Sequence, residues 1–251
     1  MPTTAAASFQ QDIEHLQRVG VFQGIAPTDL VRIAQAARRR PISAETFLFH
    51  QGDPAEVIYV PVRGRLKLTQ ITPEGHEVIL RYVGVGEMTG ATAVFGATAY
   101  PASAETVEET IVLGWDNATM LGLIEHYPRL GLNILHLLSV RLQEVQDRLR
   151  EMSTERVERR IARALLRLVS QLGRKAETGV LIDLPLSRQD LANMTGTTLY
   201  TVSRVLSHWE EDGVVEAGRE KVLIKHPPSL VVIAEDLPPT VKPPETRRKT
   251  Q

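Results

Sequence analysis

The stretch LSRQDLANMTGTTLYTVSRVLSHWEEDG, Leu186 to Gly213, constrains this chain more than any other segment. It reads as two short helices joined by a tight turn. Ser187 is placed to cap the first, and Asp190 three residues later completes a capping box. Leu191 and Met194 supply its apolar face, and Gly196 permits a turn that most residues could not make. Thr197 is placed to cap the second helix. That helix is expected to bury Leu199, Val202, Leu206 and Trp209, at steps of 3, 4 and 3. Its other face shows Tyr200, Thr201, Ser203, Arg204, Ser207 and His208. A thin apolar stripe opposite hydrogen-bond donors and an arginine is what a helix inserted into a DNA groove needs. The plainer alternative is a helical hairpin on a domain surface.

A second periodic segment begins at Pro128, a residue favoured in the first turn of a helix. Leu135, Leu138, Leu142, Val145, Leu149 and Met152 follow at steps of 3, 4, 3, 4 and 3. This heptad stripe is flanked by Arg141, Gln143, Glu144, Gln146 and Arg148, the pattern of a two-stranded coiled coil. It predicts a dimerisation helix over 128–152. Ser153 and Thr154 read as the hinge after it. A further helix follows, with Val157, Ile161, Leu165, Leu168 and Val169 inward, and then a strand at Val180–Leu184.

Upstream the pattern differs. Residues 9–40 read as two helices, the second opened by Pro27 and Asp29 and closed by Arg38, Arg39 and Arg40. From Pro41 to Trp115 short β-rich runs alternate with glycine turns: TFLFHQGD, EVIYVPVRGRLKLTQI, HEVILRYVGVGE and ETIVLGW. Turn signals fall at Gly52, Gly64, Gly75 and Gly86. Such spacing argues for a sandwich or barrel. The loop from Gly90 to Ala104 is small and apolar, either a buried ligand loop or a close-packed connection. After Gly213, VVEAGREKVLIKH reads as a hairpin turning at Gly218, a wing beside the helical pair. The tail from residue 237 to 251 is Pro-rich and basic and is expected to be disordered.

With 251 residues the chain is long enough for two domains. The net charge of −1 does not advertise nucleic-acid binding, so any DNA contact must come from local patches. There is no cysteine, which excludes disulfides, thiolate zinc sites and cysteine-held iron–sulfur clusters. No two of the seven histidines lie three or four residues apart. No apolar run approaches the ~20 residues of a membrane span, and the N-terminus has no secretory pattern. A cytoplasmic protein without membrane contact is expected.

A strand barrel, a long heptad helix and a winged helix-turn-helix in this order resemble the CRP/FNR superfamily of bacterial transcription regulators. The resemblance covers roughly residues 20 to 228. It rests on HQGDPAEVIYVPVRGRLKL, TPEGHEVILRYVGVGE, RLQEVQDRL, LSRQDLANMTG and TTLYTVSRVL. It implies an α+β architecture. A double-stranded β-helix (cupin-like jelly roll) sensor spans 1–127, a dimerisation helix 128–152, and a winged helix-turn-helix 153–236. It also implies a homodimer on DNA with two-fold-related half-sites, and RNA polymerase as partner if the chain is an activator. By the resemblance Arg204 reads guanine, Ser203 contacts a neighbouring base, and Tyr200 stands where a glutamate is common. Leu199 replaces a second arginine. Ser187, Arg188, Gln189 and Thr198 match phosphate-contacting positions.

The departures bear on the signal. Cyclic-AMP-binding members carry a glutamate and an Arg-Ser pair in the loop after the Gly-Glu turn. Here no arginine lies between Gly86 and Asp116, and Ala91 falls near the glutamate position. Val145 and Gln146 stand where those members place hydroxyl residues. A phosphate buried without a cation is unfavourable by several kcal/mol, so cyclic AMP is not expected to bind. The candidate effector pocket is Glu87, Met88, Gly90 and Ala91, with Arg141 from the long helix. A haem-dependent sensor of nitric oxide or another gas remains an alternative. Its possible ligands are His15, His50, His76 and His136, although Thr92 replaces the histidine that carbon-monoxide sensors place after the turn. A cupin-type enzyme lacks its second histidine beside His76, Glu77 and Glu87, so no catalysis is expected. A sensor module without DNA binding is opposed by the helix-turn-helix.

Overall fold

The structure, a computed structural model, describes residues 3–237. The chain forms two compact units, Met1–Gln146 and Asp147–Gln251, divided within one long helix. All but Leu237 of the tail expected to be disordered lies outside the described residues.

The first unit opens with α1 (Thr3–Arg18) and α2 (Pro27–Gln35), separated by a 3-10 turn at Gly20–Phe22. The helix starting at Pro27 stops before the arginines. Arg38, Arg39 and Arg40 lie instead in β1 (Arg38–Ile42). The strands that follow are β2 (Phe47–Phe49), β3 (Val57–Arg63), β4 (Leu66–Ile71), β5 (Glu77–Val83), β6 (Ser103–Thr106) and β7 (Thr110–Asp116). They form two antiparallel sheets, ordered β1-β7-β3 and β2-β6-β4-β5. Arg38 pairs with Gly114 and Arg40 with Val112, so a partner some seventy residues away overrides the helix-ending look of the triple arginine.

Val60, Leu66, Val83, Ala104, Val112 and Trp115 are among the fully buried residues of this unit. The two sheets are the sandwich that the strand pattern predicts, and they match the jelly roll that the resemblance implies. Gly52, Gly64, Gly75 and Gly86 all take positive φ, as the turn signals require. Trp115 donates its indole N–H to the Ile33 carbonyl at 2.9 Å, which fastens α2 to β7.

The sequence reading did not anticipate β6 or the next helix, α3 (Asn117–His126). Asp116 caps α3 by accepting from the Thr119 backbone N–H at 2.8 Å. Next comes α4 (Pro128–Thr154), 27 residues and about 40 Å long. Its first turns bury Leu130 and Ile134, and Asn133 donates to the carbonyls of Val21 and Gln23, both at 2.9 Å.

The second unit holds the end of α4, then α5 (Val157–Leu172), β8 (Gly173–Ala176), β9 (Gly179–Ile182), α6 (Arg188–Thr195) and α7 (Leu199–Glu211). It closes with β10 (Val215–Ala217), β11 (Val222–Ile224) and α8 (Pro227–Glu235). Ser153 and Thr154 are not a hinge. Their hydroxyls donate back to the carbonyls of Leu149 and Arg150, and the helix continues through them. The break falls at Glu155 and Arg156. The sheet runs β10-β11-β9-β8, so the wing hairpin is one half of a four-stranded sheet. Gly218 donates to Lys221 at 2.8 Å and makes the expected wing turn. The unit's core includes Ile161, Leu165, Leu191, Val202, Leu206, Trp209 and Leu230.

Candidate functional site

Local chemistry sets the α6–α7 pair. The Ser187 hydroxyl accepts from the Asp190 N–H at 3.0 Å, and the Asp190 carboxylate accepts from the Ser187 N–H at 2.9 Å. The capping box therefore forms as the sequence predicts. Gly196 ends α6 at φ 60, and a Cβ there would come within 2.9 Å of the Met152 methyl. The cap of α7 is Thr198, not Thr197: its hydroxyl accepts from the Thr201 N–H at 3.2 Å. The buried face also differs from the expected one. Val202, Val205, Leu206 and Trp209 are buried, whereas Leu199 stands in the first turn, 47 % exposed.

Tyr200, Ser203 and Arg204 share the outward side of α7, with Arg204 one turn beyond Tyr200. Arg204 is exposed and makes no hydrogen bond or ion pair among the described residues, so its guanidinium is available to a ligand. Arg188 is less free, with a guanidinium nitrogen 4.0 Å from the Glu210 carboxylate. Gln189 is exposed at the start of α6 and donates to Asn193 at 2.7 Å. The Ser187 and Thr198 hydroxyls are already used in capping, so phosphate contact at these two positions would add to that role.

On α4 the heptad stripe stays largely uncovered. Leu135, Leu142, Val145, Leu149 and Met152 are 53–66 % exposed. Leu138 departs from them: it is half-buried against the sensor core. Leu132, which the heptad count skipped, is exposed beside the stripe.

In the sensor, Gly90 takes φ 75, and a Cβ there would lie 2.9 Å from the Val57 carbonyl and 3.3 Å from the Tyr100 ring. Thr89 and Tyr59 exchange backbone hydrogen bonds of 2.8 and 2.9 Å, which pins the loop to β3. Met88 and Ala91 are buried there. Behind them Phe49 stacks on Tyr100 at 3.8 Å, and the Tyr100 hydroxyl donates to the Val57 carbonyl at 2.7 Å. Glu87 is the hub of a charged cluster. It accepts from Arg81 of β5 and from Arg141 of α4, each at 3.2 Å. Arg141 also donates to Glu144 at 2.8 Å, while its Nε is buried without a partner. Burial alone would lower the pKa of this guanidinium, but Glu144 and Glu87 outweigh it and the net shift is upward. Arg81 precedes the Gly-Glu turn and so lies outside the loop in which the resemblance expects a cation.

The comparisons with known proteins agree across both units. Residues 39–127 match the cyclic nucleotide-binding domain and residues 159–233 the Crp-like helix-turn-helix domain. The cyclic AMP receptor protein of Thermus thermophilus is 32 % identical over 214 residues, 85 % of this chain and 96 % of the relative. The chain belongs to the CRP/FNR family of transcription regulators. Another relative of this CRP/FNR protein is the transcriptional activator protein anr of Pseudomonas aeruginosa, 29 % identical over 74 % of this chain and 76 % of that one. Among solved structures, the c-di-GMP responsive regulator CLP of Xanthomonas campestris superposes with a TM-score of 0.71. That match has 24 % identity, covers 79 % of this chain and 99 % of the other, and speaks to fold alone.

This CRP/FNR protein is therefore a DNA-binding transcription regulator with a sensing domain of the cyclic-nucleotide-binding type. Among the described residues no helix is long and apolar enough to cross a membrane.

Proposed function

We propose that the chain binds two-fold-related DNA half-sites as a homodimer and answers to an effector other than cyclic AMP. The observation that carries the dimer is the stripe of five apolar side chains on α4, each more than half exposed. A stripe at heptad spacing is favourable in water only when a second helix covers it. The dimer presents two α7 helices, and the palindromic site follows from that symmetry. Arg204 reads guanine, Tyr200 and Ser203 contact neighbouring bases, and Ser187, Arg188, Gln189 and Thr198 lie against phosphates. RNA polymerase is the further partner if the chain activates. Its DNA partner places its work in the cytoplasm, and no step of this role calls for catalysis.

The effector reading rests on charge. The Gly90–Ala104 loop has no arginine or lysine, and the guanidiniums of Arg81 and Arg141 are held by Glu87. A cyclic phosphate would have to displace a carboxylate to gain a cation. Glu87, Met88, Gly90, Ala91 and Arg141 remain the residues of the effector pocket. The histidines do not support haem: His50 and His76 are exposed in separate turns and His136 is exposed on α4, and among the described residues only His15 has a buried, unpartnered ring nitrogen.

Light scattering and a random-site selection with the full chain test this reading. A monomer at micromolar concentration, or selected sites without two-fold symmetry, would contradict it.

A further inference from the structure

The first turn of α7 holds two large side chains that lie outside the core. Leu199 is 47 % exposed and Tyr200 78 % exposed. Neither makes a hydrogen bond, ion pair or ring contact among the described residues. Both flank the outward surface that carries Ser203 and Arg204. The inference rests on α7 being the helix that enters the major groove.

Leu199 has no donor or acceptor, so it cannot read the hydrogen-bonding pattern of a base edge. Set against a phosphate it would strip water from an anion and return nothing. The major-groove edge of a base pair offers one apolar group, the C5-methyl of thymine. Tyr200 adds a ring face of the same character beside it. Tyr200 and Arg204 are four residues apart, an axial separation of about 6 Å at 1.5 Å per residue. Projected on the duplex axis, that is at most about two base-pair steps at 3.4 Å each.

We propose that Leu199 and Tyr200 read C5-methyl groups of pyrimidines, with the thymine no more than about two base pairs from the guanine under Arg204. Because 5-methylcytosine carries its methyl at the same ring position, the same contact would distinguish methylated from unmethylated cytosine there.

The test uses the full chain and the duplex obtained by random-site selection. Each thymine is replaced in turn, in both half-sites, by deoxyuridine, which removes only the methyl. One buried methyl-sized group corresponds to about fourfold in affinity, or about fifteenfold for the symmetric pair. A loss of that size is expected at one or two positions. At the same positions, 5-methylcytosine should bind more tightly than cytosine by a similar factor. In the Leu199→Ala/Tyr200→Ala double variant, thymine and deoxyuridine should bind alike, whereas Tyr200→Phe should keep the discrimination. Circular dichroism checks that both variants fold. If deoxyuridine binds the native chain like thymine everywhere, methyl reading is wrong while DNA recognition by Arg204 stands. If the discrimination survives in the double variant, the reader lies elsewhere. If selection enriches no site, both this inference and the reading of α7 fail.

Discussion

Arg160 of α5 donates its Nε to the backbone carbonyl of Thr195, the last residue of α6, at 3.1 Å. Its two other nitrogens reach the carbonyls of Glu155, at 3.1 Å, and Gly196, at 3.4 Å. One planar guanidinium thus satisfies carbonyls from the α4–α5 break and from the α6–α7 turn, a task for which a fork of donors is suited. A hydrogen bond to a charged group contributes about 1.5–3 kcal/mol. Arg160→Ala should lower the melting temperature and weaken DNA binding without altering the preferred sequence. Arg160→Lys, with charge but no fork, should recover only part. An unchanged melting curve for Arg160→Ala would show that water replaces these bonds at no cost.

The α4 stripe separates two kinds of leucine. Leu142→Glu puts an unpaired carboxylate into the proposed seam, at a cost of several kcal/mol, and should yield a monomer by light scattering. Leu138→Ala should instead loosen the sensor by about 2 kcal/mol, since Leu138 packs against its core, and leave the dimer intact. A Leu142→Glu chain that remains dimeric would place the interface elsewhere.

Arg204 and Arg188 should differ in kind. Losing a bidentate guanine contact costs ~1–3 kcal/mol and relaxes one position. Losing a phosphate contact weakens all sequences alike and lowers the salt slope by about 1. Arg204→Ala should therefore flatten one position in each half-site, and Arg188→Ala should leave preferences unchanged. Arg188 is already held near Glu210, so its loss should be the milder of the two. With twelve basic and twelve acidic residues over 153–236, binding should fall steeply with salt. An Arg204→Ala selection logo identical to the native one would mean that α7 docks differently.

Cyclic AMP should not bind at micromolar concentration. Calorimetry that finds such affinity would mean that Arg81 or Arg141 leaves Glu87 to take the phosphate.

Asp116 makes a pH prediction. Its pKa is lowered, first by the Thr119 backbone N–H and then by the Thr119 hydroxyl. A depressed carboxylate stabilises the fold fully above its unfolded value of about 3.9, and that contribution is lost as pH falls through the lower folded value. Asp116→Asn should flatten this acid limb of the stability profile and change little at neutral pH, because asparagine also caps. An acid limb as steep as the native one would assign it to other carboxylates.

The sequence by itself determined what is written locally. The Ser187–Asp190 box, the glycine turns, the wing at Gly218 and the heptad helix all depend on spacings of a few residues, and the structure contains each of them. Tertiary structure decided what depends on distant partners. Arg38–Arg40 form a strand because β7 pairs with them, and β6, with the unpatterned sequence Ser103–Thr106, is a strand because β2 and β4 flank it. A period of 3.6 allows either Leu199 or Val205 to sit inward on α7, and packing places Val205 in the core and leaves Leu199 outside. Arg81 and Arg141, sixty residues apart in sequence, meet at Glu87 only because β5 and α4 are brought together. Helix periodicity is a property of neighbours along the chain, whereas burial and charge pairing are properties of neighbours in space.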